Sequence, residues 1–173
     1  MKTVLVSGLI AALSLFAVPA VAQDILAARV LTDVCLPYAG RSQSFEKSIR
    51  AARALDFRRP VGATGRLEEW ASEVDLVSDD GAWMLRIEEK TVEDGETAVY
   101  TVGCTLSSRR ASARDLADLG RRAFRDEKYW TTTPDHPWRW NRRTANPEEY
   151  GLAVEVSERP GDRPAMTING FYY

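Results

Sequence analysis

The sequence predicts an α+β fold, an antiparallel sheet of about six strands covered by helices. Three observations carry this prediction. Apolar residues recur at helical spacing in residues 24–35, 44–55 and 112–128. Strict two-residue alternation marks several later segments. Short turn signals, such as "SDDGA", "EDGE", "TANPEE" and "RPGDRP", separate those segments.

The chain opens with "MKTVLVSGLIAALSLFAVPAVAQ". Lys2 precedes an apolar run from Val4 to Val18, Pro19 breaks it, and Ala20-Val21-Ala22 supplies small residues. This is the form of a secretory signal peptide over residues 1–22, cleaved before Gln23. A retained anchor is the alternative, since a span needs about 20 apolar residues. The proline and the A-x-A site favour cleavage. The expected product is a soluble periplasmic or secreted protein, residues 23–173, forming one exported domain.

In "DILAARVLTDVC", Asp24 is the expected N-cap, Leu26, Val30 and Val34 share a face, and Leu36-Pro37 is the expected end. Ser44 is the expected cap of a second helix, with Phe45, Ile49, Ala52 and Leu55 inward. Residues 58–65 read as a loop. "EEWASEVDLVS" fits both periods, and the turn after it favours a strand with Trp70, Val74 and Leu76 on one face. "AWMLRIEEK" alternates with Trp83, Leu85 and Ile87 inward. "TAVYTVGCTL" puts Tyr100, Val102, Cys104 and Leu106 together. "SARDLADLGRRAFRDEK" is the clearest helix, with Ser112 and Asp115 as a capping-box-like pair. Three more strands follow, "PWRWNRR", "YGLAVEVSE" and "AMTINGFYY".

This order reads helix, strand, strand, strand twice, over 44–106 and 112–173, which predicts two α-β-β-β halves. In arrangement alone the doubled unit resembles β-lactamase-inhibitor-like modules, and no motif extends that likeness to function.

Beyond Lys2 the chain has 22 basic and 25 acidic residues, a net charge of −3. That balance gives no reason to expect nucleic acid or an acidic membrane as a partner. The 19 arginines against 4 lysines suggest GC-rich coding and a bacterial source. Cys35 and Cys104 are the only cysteines, and in an exported protein the expected state is a disulfide between them. Two buried free thiols are the alternative. One histidine and two distant cysteines make a zinc site unexpected, since zinc takes about four ligands. No cofactor motif is present.

The stretch "TPDHPWRWNRR" holds the only histidine and two of the five tryptophans. A histidine-based catalytic relay must run through His136. On a strand, Trp138, Trp140 and Arg142 share one face. Two readings stand. Either the tryptophans fill the core under the helix at 112–127, or Trp138, Trp140, Arg142 and His136 form a ligand surface. The expected function is a non-catalytic binding or accessory module of the cell envelope, with an envelope protein or a glycan as partner. A hydrolase using His136 or an acidic pair is the rival, and a structural envelope protein is the third reading.

Overall fold

The computed structural model describes residues 20–63, 72–94, 97–158 and 162–173. Most of the expected leader, and Trp70, lie outside the described residues. The fold is mixed α+β and mostly sheet. Its helices are α1 (Ala20–Val30), α2 (Leu36–Ala39), α3 (Phe45–Ala54) and α4 (Ala113–Ala123). Its strands are β1 (Phe57–Arg58), β2 (Glu73–Ser78), β3 (Trp83–Asp94), β4 (Thr97–Ser108), β5 (Trp130–Thr133), β6 (His136–Arg142), β7 (Tyr150–Ser157) and β8 (Ala165–Tyr172).

The strands form one antiparallel sheet in the order β1-β2-β3-β4-β8-β7-β6-β5. It has eight strands where six were expected. The additions are the short edge strands β1 and β5, too brief to show alternation. β1 pairs through only Phe57 and Arg58.

Alternation sets what the sheet buries. Leu85 and Ile87 of β3, Cys104 and Leu106 of β4, Met166 and Ile168 of β8, and Val154 of β7 are fully buried. They join Val34 and Tyr38 from the N-terminal helices and Leu116 and Leu119 from α4 in one core. Each buried aliphatic side chain of this size contributes about 1.5–3 kcal/mol of transfer free energy. The opposite face is polar. Arg86 bonds Asp75 at 3.0 Å and Glu73 at 2.9 Å, and the Thr105 and Thr167 hydroxyls meet at 3.1 Å.

The expected caps form. Ser44 Oγ accepts from the Lys47 N–H at 3.4 Å. Ser112 Oγ accepts from the Asp115 N–H at 3.2 Å, and Asp115 Oδ2 accepts from the Ser112 N–H at 2.8 Å. Each satisfies N–H groups that a helix start leaves without internal partners.

The first helix departs from expectation at both ends. It already runs from Ala20, the first described residue, so Asp24 lies inside it and is not its cap. It also passes Leu36-Pro37. Residues Leu31–Cys35 form a π turn, with the Leu36 N–H bonded to the Leu31 carbonyl. Pro37 has no N–H to donate, and the wider turn carries the helix across that gap to Ala39. Cys35, at the end of the π turn, and Cys104, in the middle of β4, form the expected disulfide, with Cα atoms 5.2 Å apart. It fastens the N-terminal helices to the centre of the sheet.

Candidate functional site

The expected tryptophan surface divides. Trp140 is 2% exposed and packs under α4. A Cβ added at Gly120 would lie 2.5 Å from its ring, so the missing side chain at Gly120 is what admits the indole. Phe124 closes over it, with ring centroids 5.6 Å apart. This ring belongs to the core and is not available to a ligand, which corrects the surface reading for Trp140. Trp138 is half-buried at the edge of the core. Arg142 is exposed and lies 5.8 Å from the Trp130 ring. His136 is exposed beside the two-residue turn Pro134-Asp135, as the first residue of β6 rather than in a flanking loop. Its side chain has no hydrogen-bond or ion-pair partner among the described residues. The structure therefore does not gather these four residues into a single pocket.

A different group of side chains does converge. The inward series of β3 runs Trp83, Leu85, Ile87 and then Glu89. On β4, β8 and β7 the inward series ends in tyrosines. Tyr100 is paired in register with Tyr172, and Tyr172 with Tyr150. The apolar face thus ends in a row of three tyrosine rings flanked by a carboxylate. Ring centroids are 6.1 Å apart for Tyr100 and Tyr172, and 5.1 Å apart for Tyr172 and Tyr150.

The end of α2 covers this row. Buried Tyr38 donates its hydroxyl to Glu89 Oε1 at 3.1 Å, and Tyr100 donates to Glu89 Oε2. The Tyr172 hydroxyl donates to the Ala39 carbonyl at 2.7 Å. Gly170 permits that approach, because a Cβ there would stand 2.1 Å from the Ala39 oxygen. The chain then turns at Arg41, whose φ of 54° is in the left-handed region that few non-glycine residues occupy. The turn brings the Arg41 guanidinium over two rings, 5.1 Å from the Tyr100 centroid and 5.0 Å from that of Tyr172. Between this turn and the sheet lies an open cleft of about 500 Å³, lined by Tyr38, Arg41, Gln43, Phe45, Ser72 and Glu89 among others.

Burial is the first cause of every tyrosine shift here. Tyr100 is pushed up to about 12 by burial, by its hydrogen bond to Glu89 and by that charge, with Arg41 opposing. Tyr38 is raised by burial and by Glu89. Tyr172 and Tyr150 are raised by burial, and Arg142 opposes the rise at Tyr150. A tyrosine pKa raised on folding stabilises the fold up to the unfolded value of about 10, and that contribution fades as pH climbs through the folded value. Stability is therefore expected to fall from pH 10 upward, with delayed tyrosinate absorbance. Tyr38→Phe should flatten that slope in denaturation curves taken at successive pH values, and an unchanged slope would refute the assignment.

Among the described residues, no group of three or more His, Cys, Asp and Glu side chains is placed to hold a metal ion. No helix among them is long and apolar enough to cross a membrane. Comparison with family models, curated proteins and solved structures finds no match to this chain.

The tyrosines left traces in the sequence. "NGFYY" sends aromatic side chains to both faces of a strand, and the structure leaves Tyr172 half-buried and Tyr173 62% exposed. Glu89 was missed. Its signal is a carboxylate falling on the inward phase of the β3 alternation.

Proposed function

We propose that this protein is an exported, non-catalytic binding module of the cell envelope whose ligand seats in the cleft beside Glu89. The observation that carries the reading is the fixed carboxylate: Glu89 is held by the Tyr38 and Tyr100 hydroxyls inside an open cleft of about 500 Å³. Small-molecule sites fall in the range of about 300–1,000 Å³, and this cleft sets Tyr38 and Phe45 beside the polar side chains of Arg41, Gln43, Glu46, Ser72 and Glu89. Polar groups locked before a ligand arrives lower the ordering cost of binding. The Cys35–Cys104 disulfide supports an oxidising compartment, and the periplasm is the compartment we propose. A small solute, or the end of a glycan or peptide chain, suits the size of this cleft.

We also propose that 44–106 and 112–173 are equivalent halves. The strand order supports this, because it reads β4 to β1 on one side of the β4–β8 seam and β8 to β5 on the other. Each run of four strands follows a helix, α3 or α4.

The test is a binding screen by amide NMR with amino acids, monosaccharides, N-acetylated amino sugars, carboxylic acids and amines. At least one class should produce saturable shifts confined to residues lining the cleft. A screen in which no class moves the cleft would sink the reading. Intact mass of protein from the periplasmic fraction should match a chain starting at Gln23. Retention of residues 1–22 would overturn the soluble-export proposal.

A further inference from the structure

We propose that the cleft selects a small zwitterion, a molecule bearing a carboxylate and an ammonium a few bonds apart. This rests on the binding reading above and names the ligand class for the same site. Three charged side chains line one cleft, Arg41, Glu46 and Glu89, of which Glu46 accepts the Ser44 hydroxyl at 3.0 Å and Glu89 is held by two tyrosines. Arg41 and Glu89 both face it, and no ion pair joins them. Arg41 makes no ion pair at all among the described residues.

Tyr100 holds the two charges apart. Its hydroxyl bonds Glu89, and its ring face lies beneath the Arg41 guanidinium. Each charge also has a second support. Tyr38 binds the other Glu89 oxygen, and Tyr172 supplies the second ring under Arg41. A guanidinium stacked on rings keeps its N–H edge free, and that edge matches a carboxylate in a two-bond fork. Glu89 accepts one hydroxyl on each oxygen, and an ionised carboxylate has about four acceptor positions. It therefore has acceptor capacity left for an ammonium. A ligand with only one charge would satisfy one pole. A zwitterion satisfies both, and both poles are already in place.

The geometry also speaks against an adaptable, featureless cleft. Arg41 occupies a backbone region disfavoured for residues with a side chain, at φ 54°. That conformation is what brings its guanidinium back over the sheet end.

The experiment titrates the full chain with L-alanine and with three controls, following amide shifts at Arg41, Glu89 and Tyr100. N-acetyl-L-alanine keeps the carboxylate and lacks the ammonium. L-alaninamide keeps the ammonium and lacks the carboxylate. D-glucose has no charge. L-alanine should saturate the cleft, and each control should bind at least about tenfold more weakly, the effect of losing one charge-assisted hydrogen bond. Arg41→Gln should remove the advantage over L-alaninamide, and Glu89→Gln the advantage over N-acetyl-L-alanine. His136→Ala, remote from the cleft lining, should leave all four affinities unchanged. The ligand series on the unaltered protein decides the matter even if a variant fails to fold. A control that binds as tightly as L-alanine would overturn the zwitterion while leaving a binding cleft. Failure of L-alanine to move these residues at 10 mM, about tenfold above the roughly 1 mM Kd of a weak complex, would overturn it too.

Discussion

Replacing Cys35 and Cys104 together by alanine is expected to lower the unfolding free energy by roughly 4 kcal/mol. The bridge closes a loop with a sequence separation of 69, and releasing it enlarges the unfolded ensemble. Both sulfurs come from fully buried residues in the main core. Alanine is the better probe than serine, because a buried hydroxyl without a partner adds its own penalty of about 1–3 kcal/mol. The loss should appear as a lower denaturant midpoint, and reduction of the unaltered protein should move it in the same direction. A shift below about 1 kcal/mol would show that the N-terminal helices stay on the sheet without the bond.

Trp140→Ala should destabilise by about 3–5 kcal/mol, the usual range for emptying a buried tryptophan site. The ring lies between α4 and the sheet, against Gly120 and Phe124. Its pairing with Gly120 makes a sharper expectation. In an ordinary helix interior, glycine to alanine gains about 0.5–1 kcal/mol. Here the new Cβ would stand 2.5 Å from the indole, so Gly120→Ala should destabilise instead, by about 1–3 kcal/mol. Once Trp140 is alanine, the same change should become favourable. A double-mutant cycle followed by thermal melting measures that reversal of sign. Additive effects would show that the indole does not fill the space over Gly120. Trp138→Ala, at a half-buried position, should cost less, and His136→Ala, at the exposed start of β6, should change melting little.

Much of the fold was legible because long strands with one buried face alternate. β3, β4, β7 and β8 fall on the expected segments, with Leu85 and Cys104 inward as read. The capping pair Ser112 and Asp115 was legible because it is local. β1 and β5 were not, since two to four residues cannot establish a period. The passage of the helix beyond Pro37 was hidden because the π turn that permits it leaves no residue signature. The cleft was hidden for another reason. Tyr38, Glu89, Tyr100 and Tyr172 come from four elements, and only the sheet register brings Tyr100 beside Tyr172. Trp138 and Trp140 drew attention by being rare and close in sequence, and one of them turned out to be core.

The place of β8 has a consequence for synthesis. It is the last strand in chain order, yet it sits between β4 and β7 in the middle of the sheet. Until it emerges, two four- and three-strand pieces have no hydrogen-bonded link, and each carries an open edge of unpaired backbone groups. Long-range pairings of this kind form slowly, because chain closure must precede the contacts that reward it. A nascent chain therefore cannot complete its final sheet until β8 has been synthesised. The same delay exposes the β4 edge to other chains, so a holdase that masks extended segments would matter most in the interval before β8 arrives.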